Sequence, residues 1–306
     1  MIPLVSIIIP TYNRSVTVRR AIDSVLAQTF LDLEVVVVDD GSTDDTRAAL
    51  SAYPAAVRYA YQRNQGPAAA RNHGMRLARG EFIGFLDSDD VYYPDNVKAH
   101  LSQFHANPDA GLVYAGIEIV DHEGKRVKEV RPGAQDRGFV LERLVRYNFI
   151  TASTVLLRRS VMEFAGEMNT RLWFAEDWYY WLRIASRFPV DFVDQVLVRY
   201  QRSRVSLSHG TAIAELAKRN LEMFEIAFQD PDLEERLRPL KAEAYRRAYA
   251  GYAAMALEEY RLPLARELAL KAIAARPQGI ASYPLLLKTL VGSGLLRRLR
   301  GWRRGG

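Results

Sequence analysis

The hydrophobic pattern of the first hundred residues switches repeatedly between two periods. Residues 5–9 form a short apolar run interrupted only by Ser6, as in a strand buried on both faces. Val18, Ala21, Ile22, Val25 and Leu26 then recur at helical spacing, which predicts an amphipathic helix. A second strand is predicted over 34–38, followed by a helix that Ser42 caps, with Asp45 three residues on. A third strand falls at 57–61, Pro67 opens a helix to about Arg79, and a fourth strand covers 82–86. This alternation predicts an α/β fold with an open, mostly parallel twisted sheet flanked by helices.

Beyond Pro94 the rhythm loosens. A helix to about Asn107 precedes a strand at 112–119, and His122-Glu123-Gly124-Lys125 reads as a hairpin turn returning through 127–130. A loop over 132–138, a strand at 154–157, a helix at 177–187 and a strand at 196–200 follow. From about Ala212 the pattern is helical, punctuated by Pro231, Pro239, Pro263, Pro277 and Pro284. A boundary is therefore expected near Gly210, with a first domain over 1–210 and a helical C-terminal region over 211–306. Ala248, Tyr252, Ala256, Ala265, Leu268 and Ala272 resemble one tetratricopeptide-like helix pair, and a helical buttress is the simpler reading.

Composition and charge narrow the possible functions. A chain of 306 residues that is 49% hydrophobic and 10% aromatic supports an ordered core. It has no cysteine, which removes disulfides and thiolate chemistry. The start enters a strand without a leader pattern, and no apolar run is long enough to span a bilayer. The expected location is the cytoplasm, at most on the inner face of the membrane. The net charge is +6, yet eight basic and no acidic residues follow Glu267, leaving residues 1–267 at −2. The body is thus a poor nucleic-acid binder. The basic tail, with Leu286, Leu290, Leu295, Leu296, Leu299 and Trp302 among its arginines, suits weak peripheral contact with an anionic membrane.

In open α/β sheets ligands bind beyond the carboxyl ends of the strands. The predicted strands end in Pro10-Thr11-Tyr12-Asn13, in Asp39-Asp40-Gly41-Ser42 and in Asp87-Ser88-Asp89-Asp90, while the third leads to Asn64-Gln65-Gly66-Pro67 and Arg71-Asn72. Converging carboxylates repel unless a cation lies among them. Mg²⁺, a hard ion, is commonly held by one or two carboxylates and substrate phosphates. Arg71 supplies a planar donor fork for a carboxylate or phosphate. A turn or cap explains Asp39 taken alone; it does not explain four strand ends together.

These residues resemble glycosyltransferase family 2. The likeness runs through 3–14, 37–46 and 64–72, continues in Asp87-Ser88-Asp89 as the family's DXD element, and includes Glu176-Asp177 as its ED segment. It covers roughly residues 3–206. The resemblance implies a GT-A fold with a nucleotide-sugar half at about 1–110 and an acceptor half at about 111–210. It implies inverting transfer from a nucleoside-diphosphate sugar, UDP being the common carrier, to a carbohydrate or lipid-linked acceptor in cell-surface polysaccharide or glycoconjugate synthesis. Pro10, Thr11, Tyr12, Asp39, Arg71, Asp87 and Ser88 would bind the nucleotide sugar. Asp89, with Asp87, would hold a divalent cation, Mn²⁺ or Mg²⁺. Asp177 would be the general base, supported by Glu176.

Three further expectations follow. Many relatives place a histidine where Ser203 stands, and His209 is the nearest histidine in the sequence. The QxxRW element of processive synthases is missing, which favours single additions. Thr151-Ala152-Ser153-Thr154, Trp173, Trp178 and Trp181 are candidates for an acceptor lining or for the core, with both readings open. A non-catalytic nucleotide-sugar-binding or interaction protein on the same fold is the alternative, and the presence of Asp177 argues for an enzyme. A glycoside hydrolase would use paired carboxylates without needing the nucleotide-facing strand ends.

Overall fold

The structure, a computed structural model, describes residues 2–51, 53, 56–202 and 212–290. The chain divides into two compact units, Met1–Leu141 with Asn148–Gly210, and Glu142–Tyr147 with Thr211–Gly306.

The first unit is built on β1 (Val5–Thr11), whose side chains are buried on both faces of the sheet. α1 (Thr17–Leu26), β2 (Leu33–Asp39), α2 (Thr46–Leu50), β3 (Val57–Tyr61), α3 (Pro67–Leu77) and β4 (Phe82–Phe85) follow in the expected order. β5 (Val91–Tyr92), α4 (Asn96–Ala106), β6 (Leu112–Val120) and β7 (Arg126–Val130) come next; α5 (Leu141–Leu144) follows in the chain but belongs from Glu142 on to the second unit, and β8 (Leu156–Arg158), α6 (Arg159–Ala165), α7 (Glu176–Ala185) and β9 (Val190–Gln201) complete the first.

The nine strands run β3-β2-β1-β4-β8-β6-β9-β5, with β7 paired to β6. The sheet is mixed. β3, β2, β1 and β4 are parallel, β6 and β9 are parallel, and β8 lies antiparallel between β4 and β6.

Strand alternation sorts the two faces. Val5, Ile7 and Ile9 share one cluster with Val18, Ala21, Ile22 and Val25 of α1 and with Val97 and Phe104 of α4. Ile8 faces the other way, toward α3. A Cβ at Gly74 would lie 2.3 Å from Ile8 Cγ2, so the absence of a side chain lets α3 sit directly on the sheet. At the core's usual ~25 cal/mol per Å², the apolar strands and helix stripes supply most of the favourable free energy of this unit.

Three sequence expectations change. Ser42 does not cap α2: the helix starts at Thr46 with Asp45 before it. Gly41 takes φ +84° and turns the chain first, so the Ser42 N–H donates to Asp39 Oδ1 (2.8 Å) and its hydroxyl accepts from the Asn13 N–H (2.9 Å). Residues Ala152–Thr154 form a 3-10 turn, which delays the strand to Leu156. The last strand begins at Val190, six residues before the predicted start, because Asp191, Asp194 and Gln195 break its apolar run.

The second unit holds α8 (Ile213–Ala227), α9 (Glu234–Leu237), α10 (Lys241–Glu258), α11 (Leu262–Ala275) and α12 (Tyr283–Leu290). Its core uses small residues: Ala253, Ala256, Ala265 and Ala269 are buried and let α10 and α11 pack closely. Glu243 accepts from Arg246, Arg247 and Arg276, and these hydrogen bonds, Arg246 foremost, hold its carboxyl well below the usual carboxylate range. Of the basic tail, only the residues through Leu290 are described; Ser203 and His209 also lie outside the described residues.

Candidate active site

The parallel register carries three strand ends to one edge. Thr11 lies opposite Asp39, and Asp39 opposite Tyr61. The Leu86 N–H donates to the Ile8 carbonyl (3.0 Å), so β4 delivers Asp87 to the same edge. Asn13, at φ +51°, ties the first two loops together by accepting the N–H groups of Thr43 (2.8 Å) and Asp44 (3.4 Å).

The buried Asp39 carboxylate accepts the Ser42 N–H on one oxygen and the Tyr59 hydroxyl on the other (2.8 Å each). Burial and Asp39 together push the Tyr59 phenol far above its ordinary value, which keeps it a donor. The neighbouring Asp40 folds the loop before α3: Oδ1 accepts from the Gln62 side chain (2.7 Å) and the Gln65 N–H (2.9 Å), and Oδ2 from the Gly66 N–H (2.8 Å). Gly66 takes φ +89° under the Trp173 ring, where a Cβ would stand 3.4 Å from the ring. Thr11 is buried and its Oγ1 has no hydrogen-bond partner; Tyr12 is 46% exposed, Pro10 half-buried and Ser88 buried.

Arg71 occupies the centre and is only 5% exposed. Its Nη2 meets Asp87 Oδ1 at 2.6 Å and its Nη1 meets Glu176 Oε1 at 2.5 Å. One guanidinium thus joins the 87–90 turn to the start of α7. Burial works against its charge, but Asp87, Glu176 and Asp177 outweigh that and fix it as a cation. The next residue repeats the link: Asn72 donates to the Met168 carbonyl and accepts the Met168 N–H, both at 2.8 Å.

The carboxylates differ in environment. Asp89 is raised above its ordinary value by burial and by Asp87, against Arg14, whose Nη2 lies 3.6 Å from Asp89 Oδ2. Asp177 is half-buried at the first turn of α7 and accepts the Trp178 N–H (2.7 Å). Burial and the adjacent Glu176 push it up to about 7, with Arg71 opposing. A carboxylate poised there takes a proton readily near neutral pH.

Among the described residues, no three acidic or histidine side chains gather closely enough to hold a metal by themselves. Asp87 and Asp89 offer hard oxygen donors, one Asp87 oxygen being engaged by Arg71, and a cation among them would relieve their repulsion. The chemistry of the site therefore fits a divalent ion completed by phosphate oxygens. Of the three tryptophans, Trp181 and Trp178 are buried, Trp181 against Phe85 and Tyr180, whereas Trp173 is 51% exposed. Asp40 and Asn72 carry no individual role in the sequence reading, since their partners lie 22 and 96 positions away; Ser153, a candidate for the acceptor lining or the core, is buried and bonds Asp90.

The family profile described as glycosyl transferase family 2 matches residues 6–164, which include the strand-edge loops, Arg71 and the 87–90 turn. The chain belongs to that family. It is a glycosyltransferase, with the mixed sheet and flanking helices of the GT-A fold. One relative is an Escherichia coli UDP-Glc:α-D-GlcNAc-diphosphoundecaprenol β-1,3-glucosyltransferase, 30% identical over 67% of this chain and 79% of its own. Among solved structures, the chain is similar to Staphylococcus aureus TarS 1–349 in complex with UDP-GlcNAc (TM-score 0.65, 20% identity, 89% of this chain and 81% of that one). A mannosyltransferase from Pyrobaculum calidifontis, in complex with GDP-Man and Mn²⁺, gives a TM-score of 0.61 at 23% identity, over 94% of this chain and 86% of that one. Among the described residues of this glycosyltransferase, no helix is long and apolar enough to cross a membrane.

Proposed function

We propose that this glycosyltransferase moves a sugar from a UDP-sugar to a hydroxyl of a lipid-linked or carbohydrate acceptor, with inversion, in polysaccharide or glycoconjugate synthesis. The observation that carries it is the forked contact of Arg71, which brings the donor-side Asp87 and the Glu176-Asp177 pair to one place. Thr11, Asp39 and the exposed Tyr12 line the edge where base and ribose bind, between Pro10 and the 41–46 loop. Asp89 and the free oxygen of Asp87 would hold a divalent cation, and Ser88, the residue between them, would contact the nucleotide sugar. That ion, Mn²⁺ or Mg²⁺, would stabilise negative charge on the departing diphosphate.

The protein's own groups do the rest. Asp177 accepts the proton of the acceptor hydroxyl as its oxygen bonds to the anomeric carbon and the bond from that carbon to the phosphate oxygen breaks. Glu176 holds the Arg71 guanidinium at the start of α7, and its own charge raises the proton affinity of Asp177. Trp173 offers an exposed aromatic face beside Gly66 for a sugar ring. The UDP and lipid-diphosphate preferences are supported by the activity of the Escherichia coli relative. The basic residues after Glu267 would add weak attraction to anionic lipid, where such an acceptor resides.

Thermal melting with UDP- or GDP-sugars tests the site. Donor should stabilise the fold with Mn²⁺ or Mg²⁺ and lose that effect in EDTA. Asp89→Ala should abolish the metal-dependent part; equal stabilisation of the variant and the wild type would remove Asp89 from the metal site.

A further inference from the structure

We infer that Ser153 and Asp90 are positioning residues that set the direction of the Asp87–Asp89 turn. The inference rests on Asp87 and Asp89 being the donor-side ligands proposed above. Asp90 follows them directly but faces away from solvent, and Ser153 is buried with it. The Ser153 hydroxyl donates to Asp90 Oδ2 at 2.6 Å and accepts the Asp87 N–H at 3.1 Å. Asp90 Oδ1 accepts the N–H of Gln201, the last residue of β9, at 2.9 Å. The Asp90 N–H in turn donates to the Asp87 carbonyl (3.0 Å), closing the turn on itself.

Four hydrogen bonds thus fix a single carboxylate-bearing turn from three directions. β4 ends at Phe85, so the ladder no longer holds the chain where Asp87 begins. The hydroxyl takes over that task one residue past Leu86. The 3-10 turn that presents Ser153 is anchored as well: the Thr154 carbonyl lies 2.8 Å from His100 Nε2, and His100 Nδ1 lies 2.8 Å from the Asn96 carbonyl on α4. Asp87 and Asp89 point where they do because Ser153 and Asp90 pin the backbone of their turn. Ser153 and Asp90 hold the ligands' backbone and not their carboxylates, which sets the expected effect at the lower end of the roughly 10- to 100-fold lost when residues supporting metal ligands are removed.

The test uses the full chain with Mn²⁺ plus whichever of UDP and GDP stabilises the wild type more. Calorimetric titration and melting, each without and with ligand, are compared for wild type, Ser153→Ala, Asp90→Asn and Asp89→Ala. Ser153→Ala and Asp90→Asn should each bind the Mn²⁺–nucleotide pair about tenfold more weakly, while keeping a cooperative metal-free transition. Ser153→Thr, which keeps the hydroxyl, should recover more of that affinity than alanine does. A Ser153→Ala or Asp90→Asn protein that melts lower yet binds Mn²⁺ and nucleotide as the wild type does, while Asp89→Ala has lost binding, overturns the positioning role. If Asp89→Ala also binds like the wild type, the metal assignment itself fails, and this inference falls with it.

Discussion

Replacing Arg71 probes the connection between the two halves of the site most directly. Lysine keeps the charge but has no planar fork, so it can serve Asp87 or Glu176 and not both in the present geometry. One charge-assisted hydrogen bond is lost, about 1.5–3 kcal/mol. In a domain of this size that corresponds to roughly 3–12 °C in melting temperature. Methionine removes the cation altogether and leaves three carboxylates facing each other, at about 3–5 kcal/mol for a broken buried pair. Those carboxylates would then have raised proton affinities. A raised carboxylate pKa destabilises the fold at high pH and ceases to do so once the group is protonated. The deficit of Arg71→Met should therefore shrink as the pH falls from 8 to 5. Calorimetric melting across that range measures the effect. A melting temperature equal to that of the wild type, or a deficit independent of pH, would refute the strut role of Arg71.

Three other outcomes are expected. Donor hydrolysis by the wild type should rise with pH through about 7 and then level off, because Asp177 must be deprotonated to act as base; Asp177→Asn should keep nucleotide binding and lose turnover at every pH. Gly74→Ala should cost about 1–3 kcal/mol in urea unfolding, since its methyl would meet Ile8, and an unchanged midpoint would contradict the close approach of α3. Liposomes containing anionic lipid should sediment the full chain better than a version ending at Gln278, and less so in high salt; equal sedimentation removes the membrane role of the basic tail.

The half of the sheet around β1 was legible because its signals are local. Val5 to Ile9 and the 18–26 stripe contain their own periods, and strand ends in such folds gather on one edge whatever the details of packing. The first half of β9 carries Asp191 and Asp194 and so shows no apolar run in the sequence, and only its pairing with β6 reveals that the strand starts at Val190. The short β5 and α6 carried too few residues to establish a period. Within the site, the residue types were visible but their partners were not. Arg71 read as a nucleotide contact because its pairing with Glu176 spans 105 positions. The tryptophans could not be told apart until the packing of α7 put Trp181 inside and left Trp173 at the surface.

Arg71 and Asn72 are consecutive, and each grips a segment about a hundred positions downstream, Glu176 in one case and Met168 in the other. This bears on how such enzymes can be recombined. A chimera that grafts residues 1–110 onto the later half of a distant relative would inherit the donor edge intact, but would strand a buried guanidinium and a buried amide unless the incoming segment brought matching acceptors. The two halves are in that sense co-inherited. A switch of acceptor preference would come more readily from changing the exposed surface around Trp173 than from exchanging whole halves.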